Sequence, residues 1–416
     1  MAFQQGLSGL NATSRALDVV GNNVANSSTV GFKSAQGHFA DVYAASLTGT
    51  GSSSQVGIGT TLAAVFQQFT QGNITSTNNP LDIAINGNGF FQVTRDGSTN
   101  FTRNGQFHTN LDGYIVNDQE YMLMGYAATS TGEIVPSDPS PIRIDTGNIP
   151  PRPTGAAEGG DAEMVLNLDA SASLPTVGTF NHQNPLSYTY STSQEVYDTL
   201  GVVHNIRYYF VKTGTLGQWD LHATLDGANP QSMGSLNFNT SGQLTTTMPI
   251  ALPAGWGITT GAASPLGSGQ PNWRIDFSGT TNFSGASTVN SQRQGGYAQG
   301  ALSGLTIGSD GILLGNYTNG ESKNLAQIVL ATFPNPNGLV NLGNNLFQAT
   351  PGSGEGLIGA PGSGPRGVLA STSVEESNVD LTNELVNMIT LQRNYQANAQ
   401  TIKTQDQIMQ TLVNLR

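Results

Sequence analysis

The side chains able to do chemistry are few and far apart. Five histidines, His38, His108, His182, His204 and His222, are scattered along the chain. None stands in an H-E-x-x-H pair or at another spacing that would bring two imidazoles onto one metal, so they read as surface or turn residues. The absence of cysteine removes thiolate nucleophiles, disulfides and cysteine-built zinc sites. Neither a G-x-S-x-G elbow nor a P-loop occurs. Residues 354–359, "GEGLIG", have the G-x-G-x-x-G spacing, but they lie within "TPGSGEGLIGAPGSGPRG". No strand precedes them and no helix follows, as dinucleotide binding requires, so the match reads as a flexible linker. Glu375, Glu376 and Asp380 gather before a helical pattern, where acids favour the positive end of the helix dipole, and they read as caps. Tyr188, Tyr190, Tyr208, Tyr209 and Trp219 form an aromatic group, open to reading as an exposed binding surface or, more simply, as strand core. The expectation is no enzyme: no catalytic, cofactor-binding or metal residue, and no cofactor.

The elements that must position these residues are clearest at the two ends. Phe3, Leu7, Leu10, Leu17 and Val24 fall on one alternating four-three register, with Ser14 and Gly21 in its remaining places, so one helical stripe faces a partner. In "NNVANSSTVGFK", residues 22–33, that pattern dissolves. Asn22, Asn23, Asn26, Ser27, Ser28 and Thr29 bond nearby backbone and compete with helix propagation, which places the helix end between Asn26 and Gly31. From Val379 onward, Leu381, Leu385, Met388, Leu391, Tyr395, Ile402, Met409 and Leu412 recur at helical steps without Pro or Gly. Asn378 or Asp380 is the candidate cap, and about 35 residues at 1.5 Å each make a rod on the order of 50 Å. Its other face carries Gln392, Gln396, Gln400, Gln405 and Gln410, not the basic stripe of a membrane-surface helix. The two helices either pack into an ordinary core or serve self-assembly.

Composition bounds the class. At 416 residues the chain has room for two to four domains. Only 10% of residues are charged, against about 25% in ordinary globular proteins, so Asn, Gln, Ser, Thr and Gly must supply the polar surface. A formal charge of −12 without a basic cluster argues against nucleic acid. No apolar run reaches the length of a membrane span, and "MAFQQGLSGL" has neither the basic nor the apolar part of a signal peptide. Neither membrane insertion nor a cleaved signal peptide is expected.

Between the ends the period changes to that of strands. Residues 81–116 carry Asn86-Gly87, Asp96-Gly97, Asn104-Gly105 and Asp112-Gly113 between short apolar runs, and residues 301–333 carry Asp310-Gly311. Such dipeptides mark tight turns and hairpins. Pro- and Gly-rich breaks at 145–165 and 287–300 make the segment between them look inserted; within it, 205–212 and 219–227 read as adjacent strands. The expected fold class is multidomain α plus all-β. Paired terminal helices form a coiled-coil-like inner domain (1–30 and 371–416), followed by linkers (31–80 and 351–370). A middle β domain (81–145 and 297–350) then holds an inserted outer β domain (146–296).

Three stretches carry a family resemblance. "NNVANSSTVGFK", with Asn22, Asn23, Asn26, Thr29, Gly31 and Phe32, "FTRNGQFHTNLDGYIVN" (101–117) and "TSVEESNVDLTNELVNMITLQRNYQANAQTIKTQDQIMQTLVNL" (372–415) resemble bacterial flagellar rod and hook proteins. "TSQEVYDTLGVVHNIRYYFVK" (192–212) resembles the outer-domain motif of the hook branch, which favours hook over distal rod. The resemblance implies a helical homopolymer around an export channel, whose inner helices stack with those of neighbouring copies. It implies a curved tube that passes motor torque from rod to filament as a universal joint. The implied partners are the chain itself, the distal rod protein, the hook-filament junction protein, and the hook cap and flagellar export apparatus during assembly. The implied place is the extracellular hook. The Gly- and Ser-rich "SLTGTGSSSQVGIGT" (46–60) would supply compliance to the linker. The glutamine face is either solvated or borders the channel. Outside the family, a secreted β-rich adhesin or carbohydrate-binding module is the competing reading.

Overall fold

The computed structural model describes residues 2–42, 57–129, 132–145, 147–154, 162–251 and 274–414. Most of the stretch 46–60, and residues 155–161 of the first Pro- and Gly-rich break, therefore lie outside the described residues. The fold is terminal helices with a β-rich body, and it divides into two compact units. One comprises Met1–Asp145, Gly304–Gly315 and Ser322–Arg416; the other comprises Thr146–Ser303 and Asn316–Glu321.

In the first unit, α1 (Ala2–Ala25) and α2 (Leu381–Asn414) run antiparallel. Gly6 lies against Ile402, Gly9 against Asn398 and Asn23 against Glu384. α1 stops one residue before the expected window. The chain then turns on backbone bonds from Ser27 N to Val24 O and from Thr29 N to Asn26 O. α2 begins where Asp380 Oδ1 accepts from Thr382 N and Asn383 N at 2.9 and 3.1 Å, the geometry of an N-cap.

Residues 31–80, expected as a linker, carry an antiparallel pair, β1 (Ala35–Val42) and β2 (Gly59–Gln67). The pair lies along α1, where Gln5 Nε2 donates to Gly57 O and Thr60 N donates to Ser8 Oγ. "AQGHFADV" and "GTTLAAVFQ" dilute their alternation with Ala, Gly and Thr, which is why the pair gives little signal.

The body joins early strands to late ones. β3 (Ile74–Ser76) pairs with Ser373–Glu375, and β4 (Ile83–Asn86) pairs with Val368–Ser371. β5 (Phe90–Arg95) and β6 (Ser98–Thr102) form a hairpin. Its turn, Asp96-Gly97, has φ of 51° and 78°, the double positive φ of a type I′ turn. The main sheet runs through the strands at 302–307, 312–317, 322–328 and 122–127, then β5, β6, and the strands at 346–348 and 340–343. One face buries Phe90, Phe101, Phe333 and Phe347, with Phe69 packed on them. Edge-on contacts, among them Phe101 to Phe333 at 4.8 Å, each add roughly 0.5–1.5 kcal/mol beyond burial.

The second unit is a sandwich of two four-stranded sheets. One takes 190–197, 203–212, 218–225 and 228–237 in order; the other takes 250–251, 274–276, 162–167 and 288–293. Tyr208, Phe210, Trp219, Leu221, Leu166 and Phe277 fill the space between them. Tyr208 and Trp219 are wholly buried, Tyr209 nearly so, and Tyr190 packs against the core. Tyr208, Trp219 and Tyr190 thus belong to the strand core, while Tyr209 packs outside it against Phe180 and the half-buried Tyr188. His204 is held between Asp226 Oδ2 at 2.7 Å and Asp198 Oδ2 at 3.4 Å, while His222 stacks on Phe180.

Candidate assembly surface

α1 shows three distinct faces. The face on α2 is built from small and polar side chains, Gly6, Gly9, Thr13 and Asn23, at helical spacing. A Cβ on Gly6 would come within 3.2 Å of Ile402 Cγ1, and one on Gly9 within 3.0 Å of Asn398 Nδ2. The absence of side chains there is what lets the helices approach. The second face meets the β1–β2 pair through Gln5 and Ser8. The third is the expected apolar stripe. Along it Phe3 and Leu7 are 52% and 44% exposed, and Leu10, Leu17 and Val24 are half-buried.

On α2, Met388, Leu391 and Ile402 are half-buried, together with Glu384, Asn398 and Gln405. Leu381, Leu385 and Tyr395 are exposed, and so are Val386 and Ile389, which the helical register did not single out. Leu412 lies in α2, but its side chain is outside the described residues. Since Gly6 of α1 already stands opposite Ile402, the last turns of α2 extend past α1, with Met409 and Val413 60% and 71% exposed. Gln392, Gln396, Gln400 and Gln410 are exposed; Gln405 sits on the α1 side. The helix pair thus keeps large apolar side chains uncovered, Phe3 and Leu7 on α1 and Leu385, Val386, Ile389 and Met409 on α2.

The Asn- and Ser-rich motif is a joint. Asn23 is buried and ties three elements, donating to Ala35 O at 2.8 Å and to Glu384 Oε1 at 3.0 Å while accepting from Ala35 N. Asn26 donates to Asn22 O, and Thr29 Oγ1 donates to Asn26 Oδ1. Gly31 has φ of 71° and Phe32 is buried.

Beside this motif lies a constellation that sequence reasoning missed. Lys33 Nζ donates to Glu375 Oε1 at 2.5 Å and to Thr70 O at 2.7 Å. Arg103 Nη1 donates to Glu375 Oε2 at 3.1 Å, and its Nη2 to Gly87 O at 2.8 Å. Gly72 N also donates to Glu375 Oε1, and Gly31 N to the Glu375 carbonyl. The Lys33 and Glu375 side chains are fully buried and that of Arg103 almost so. Burial pulls the Lys33 ammonium and the Arg103 guanidinium below their ordinary ranges, and Glu375 pulls both back up. Glu375 is therefore not a helix cap; Asp380 alone has that role. Asn378, the other candidate cap, accepts from Ser34 N and donates to Gln68 O and Thr70 O. The available signal was that Lys33, Arg103 and Glu375 each stand in one of the three resembling stretches, as rare charges in a charge-poor chain.

Among the described residues, no group of three His, Asp or Glu side chains gathers as a metal site, and no helix is long and apolar enough to cross a membrane.

Four stretches match family models. They are the flagella basal body rod protein (3–33), the flagellar hook protein FlgE/F/G D1 domain (84–151), the flagellar basal body protein FlaE D2 domain (167–297) and the flagellar basal body rod FlgEFG protein C-terminal (370–415). The class these define is that of flagellar basal-body, rod and hook proteins. The flagellar hook protein FlgE of Escherichia coli (strain K12) is 42% identical over 422 residues, with both chains fully covered. That of Salmonella typhimurium is 40% identical over 424 residues, again with full coverage. That of Borreliella burgdorferi is 31% identical over 444 residues, covering 100% of this chain and 99% of the relative. The crystal structure of Helicobacter pylori flagellar hook protein FlgE2 shares the fold with a TM-score of 0.52. It is 13% identical, covering 72% of this chain and 100% of that one. The chain belongs to the flagellar hook protein family.

Proposed function

We propose that the chain is the structural subunit of the flagellar hook, polymerising into a curved, flexible tube that carries motor rotation from rod to filament. The observation that carries this reading is the helix pair whose large apolar residues, Phe3, Leu7, Leu385, Val386, Ile389 and Met409, are left uncovered. Exposed apolar surface of this kind on a water-borne chain marks an interaction site. Family membership makes other copies of the chain the partners that cover it.

In this reading residues 1–30 and 371–416 are the inner, tube-forming domain. Residues 81–145 with 297–350 form the middle β domain, and 146–296 the outer one. The distal rod protein contacts one end of the polymer and the hook-filament junction protein the other, while the hook cap and the export apparatus act during growth. The exposed glutamines of α2 suit a channel wall, because uncharged polar side chains offer little for a passing chain to adhere to. Contacts between subunits would be numerous and weakly charged, as the sparse ionic surface suggests, and could exchange as the tube bends.

The test is electron microscopy of flagellar basal bodies from cells lacking this chain, compared with cells given it back. Finished rods without hooks, with hooks restored on complementation, are expected. Truncated rods would assign the chain to the distal rod, and intact hooks would overturn the reading.

A further inference from the structure

Two cations and one carboxylate are shut away from water where the terminal segments join the β body. Lys33 and Arg103 share Glu375, and each also donates to a neutral carbonyl, Thr70 O and Gly87 O respectively. Arg103 Nε is buried without an acceptor. The site therefore carries one net positive charge with Glu375 in place and two without it. Glu375 comes 342 residues after Lys33 and 272 after Arg103. Its carboxylate also takes Gly72 N, so one side chain fastens four separate stretches of chain. A brace needed only for its volume would be served equally well by glutamine. Two buried cations facing each other would not be.

We propose that Glu375 is a positioning residue for assembly: its charge closes the joint between helix pair and β body by neutralising Lys33 and Arg103. Before the late part of the chain reaches the early part, the two cations repel each other and hold residues 31–33 and 70–72 in water. The helix pair is then not fixed on the body, and its apolar faces are not set for neighbouring copies. The proposal rests on the hook-subunit reading only in its second readout.

The experiment uses the full-length chain and the variants Glu375→Gln and Lys33→Met/Glu375→Gln; the second returns the site to one net positive charge. The first readout is hydrogen exchange in the monomer at Gly31, Gly72 and Thr77, whose amides donate to Glu375 O, Glu375 Oε1 and Thr372 O, with the amides of β4 as reference. For Glu375→Gln, exchange at the three joint amides should rise about 100-fold, the lower end of what breaking a buried ion pair costs, with β4 unchanged. In the double variant it should return to within about 10-fold of the parent, by the same charge balance. The second readout is hook formation in complemented cells, expected to fail with Glu375→Gln and to recover with the double variant. Unchanged exchange in Glu375→Gln would make the carboxylate a mere space-filler and overturn the proposal. A double variant that exchanges as fast as Glu375→Gln would overturn it too, even if Glu375→Gln unfolds globally. If the parent chain itself fails to restore hooks, the hook-subunit reading falls and the exchange result still decides the role of Glu375.

Discussion

At Gly31 two demands meet. The backbone takes φ of 71°, and a Cβ would stand 2.7 Å from Asn104 N. Gly31→Ala is expected to lose about 1–3 kcal/mol of stability, the range for a strained backbone held in place by its surroundings, measured by urea unfolding. Asp380→Ala should cost about 1 kcal/mol through the lost cap of α2, seen as a lower midpoint of the far-UV helical signal. The two acids at this helix start differ in a way that no local pattern reveals. Asp380 bonds within three residues, so its role was legible. Glu375 takes its partners from residues 33, 72 and 103, and so it read as a cap. His222, half-buried on Phe180, gives a pH prediction. Burial lowers its pKa below the ordinary 6.5, with Asp220 opposing. The unfolded chain then binds the proton more readily than the folded one. The associated stability is fully present above about pH 6.5 and declines as pH falls through the lowered value. His222→Gln should flatten the acid limb of a stability-against-pH curve for the sandwich unit.

At the level of elements, α1 separates folding from assembly by face. Gly6→Leu should force the helices apart and reduce helical circular dichroism of the monomer, since Ile402 occupies the space a side chain would need. Leu7→Ser, on an exposed position, should change monomer stability by less than about 0.5 kcal/mol, yet abolish polymer formation in a sedimentation assay. Both helices were legible because their apolar residues repeat every three or four positions. The pairing face was not, because glycine and threonine leave no apolar signal and the leucines beside them leave a strong one. In the body, Asp96-Gly97 announced its hairpin by turn chemistry alone. The β1–β2 pair was read as linker because its strands are short on large residues and the residues between them are rich in Gly and Ser.

For the molecule as a whole, two units imply two unfolding events. Trp219 is wholly buried between the two sheets of the sandwich, and residues 1–145 and 304–416 contain no tryptophan. Tryptophan emission should therefore follow the sandwich unit, and the far-UV helical signal the unit that holds α1 and α2. Asp380→Ala is expected to shift the second transition and leave the first in place; a common shift would mean that the units unfold as one. The Pro- and Gly-rich breaks at 145–165 and 287–300 overlap the sandwich strands at 162–167 and 288–293.

The joint beneath the helix pair has a mechanical meaning. Three passages of chain run through it, at 30–34, 68–72 and 375–380, and they are laced sideways by Lys33, Glu375 and Asn378. A single strand between two bodies is a swivel, free to spin about its own bonds; three strands bound side by side form a shaft that resists twist. Deformation of each subunit under load would then fall on surfaces that slide past neighbours, while the connection between its helices and its body stays torsionally stiff.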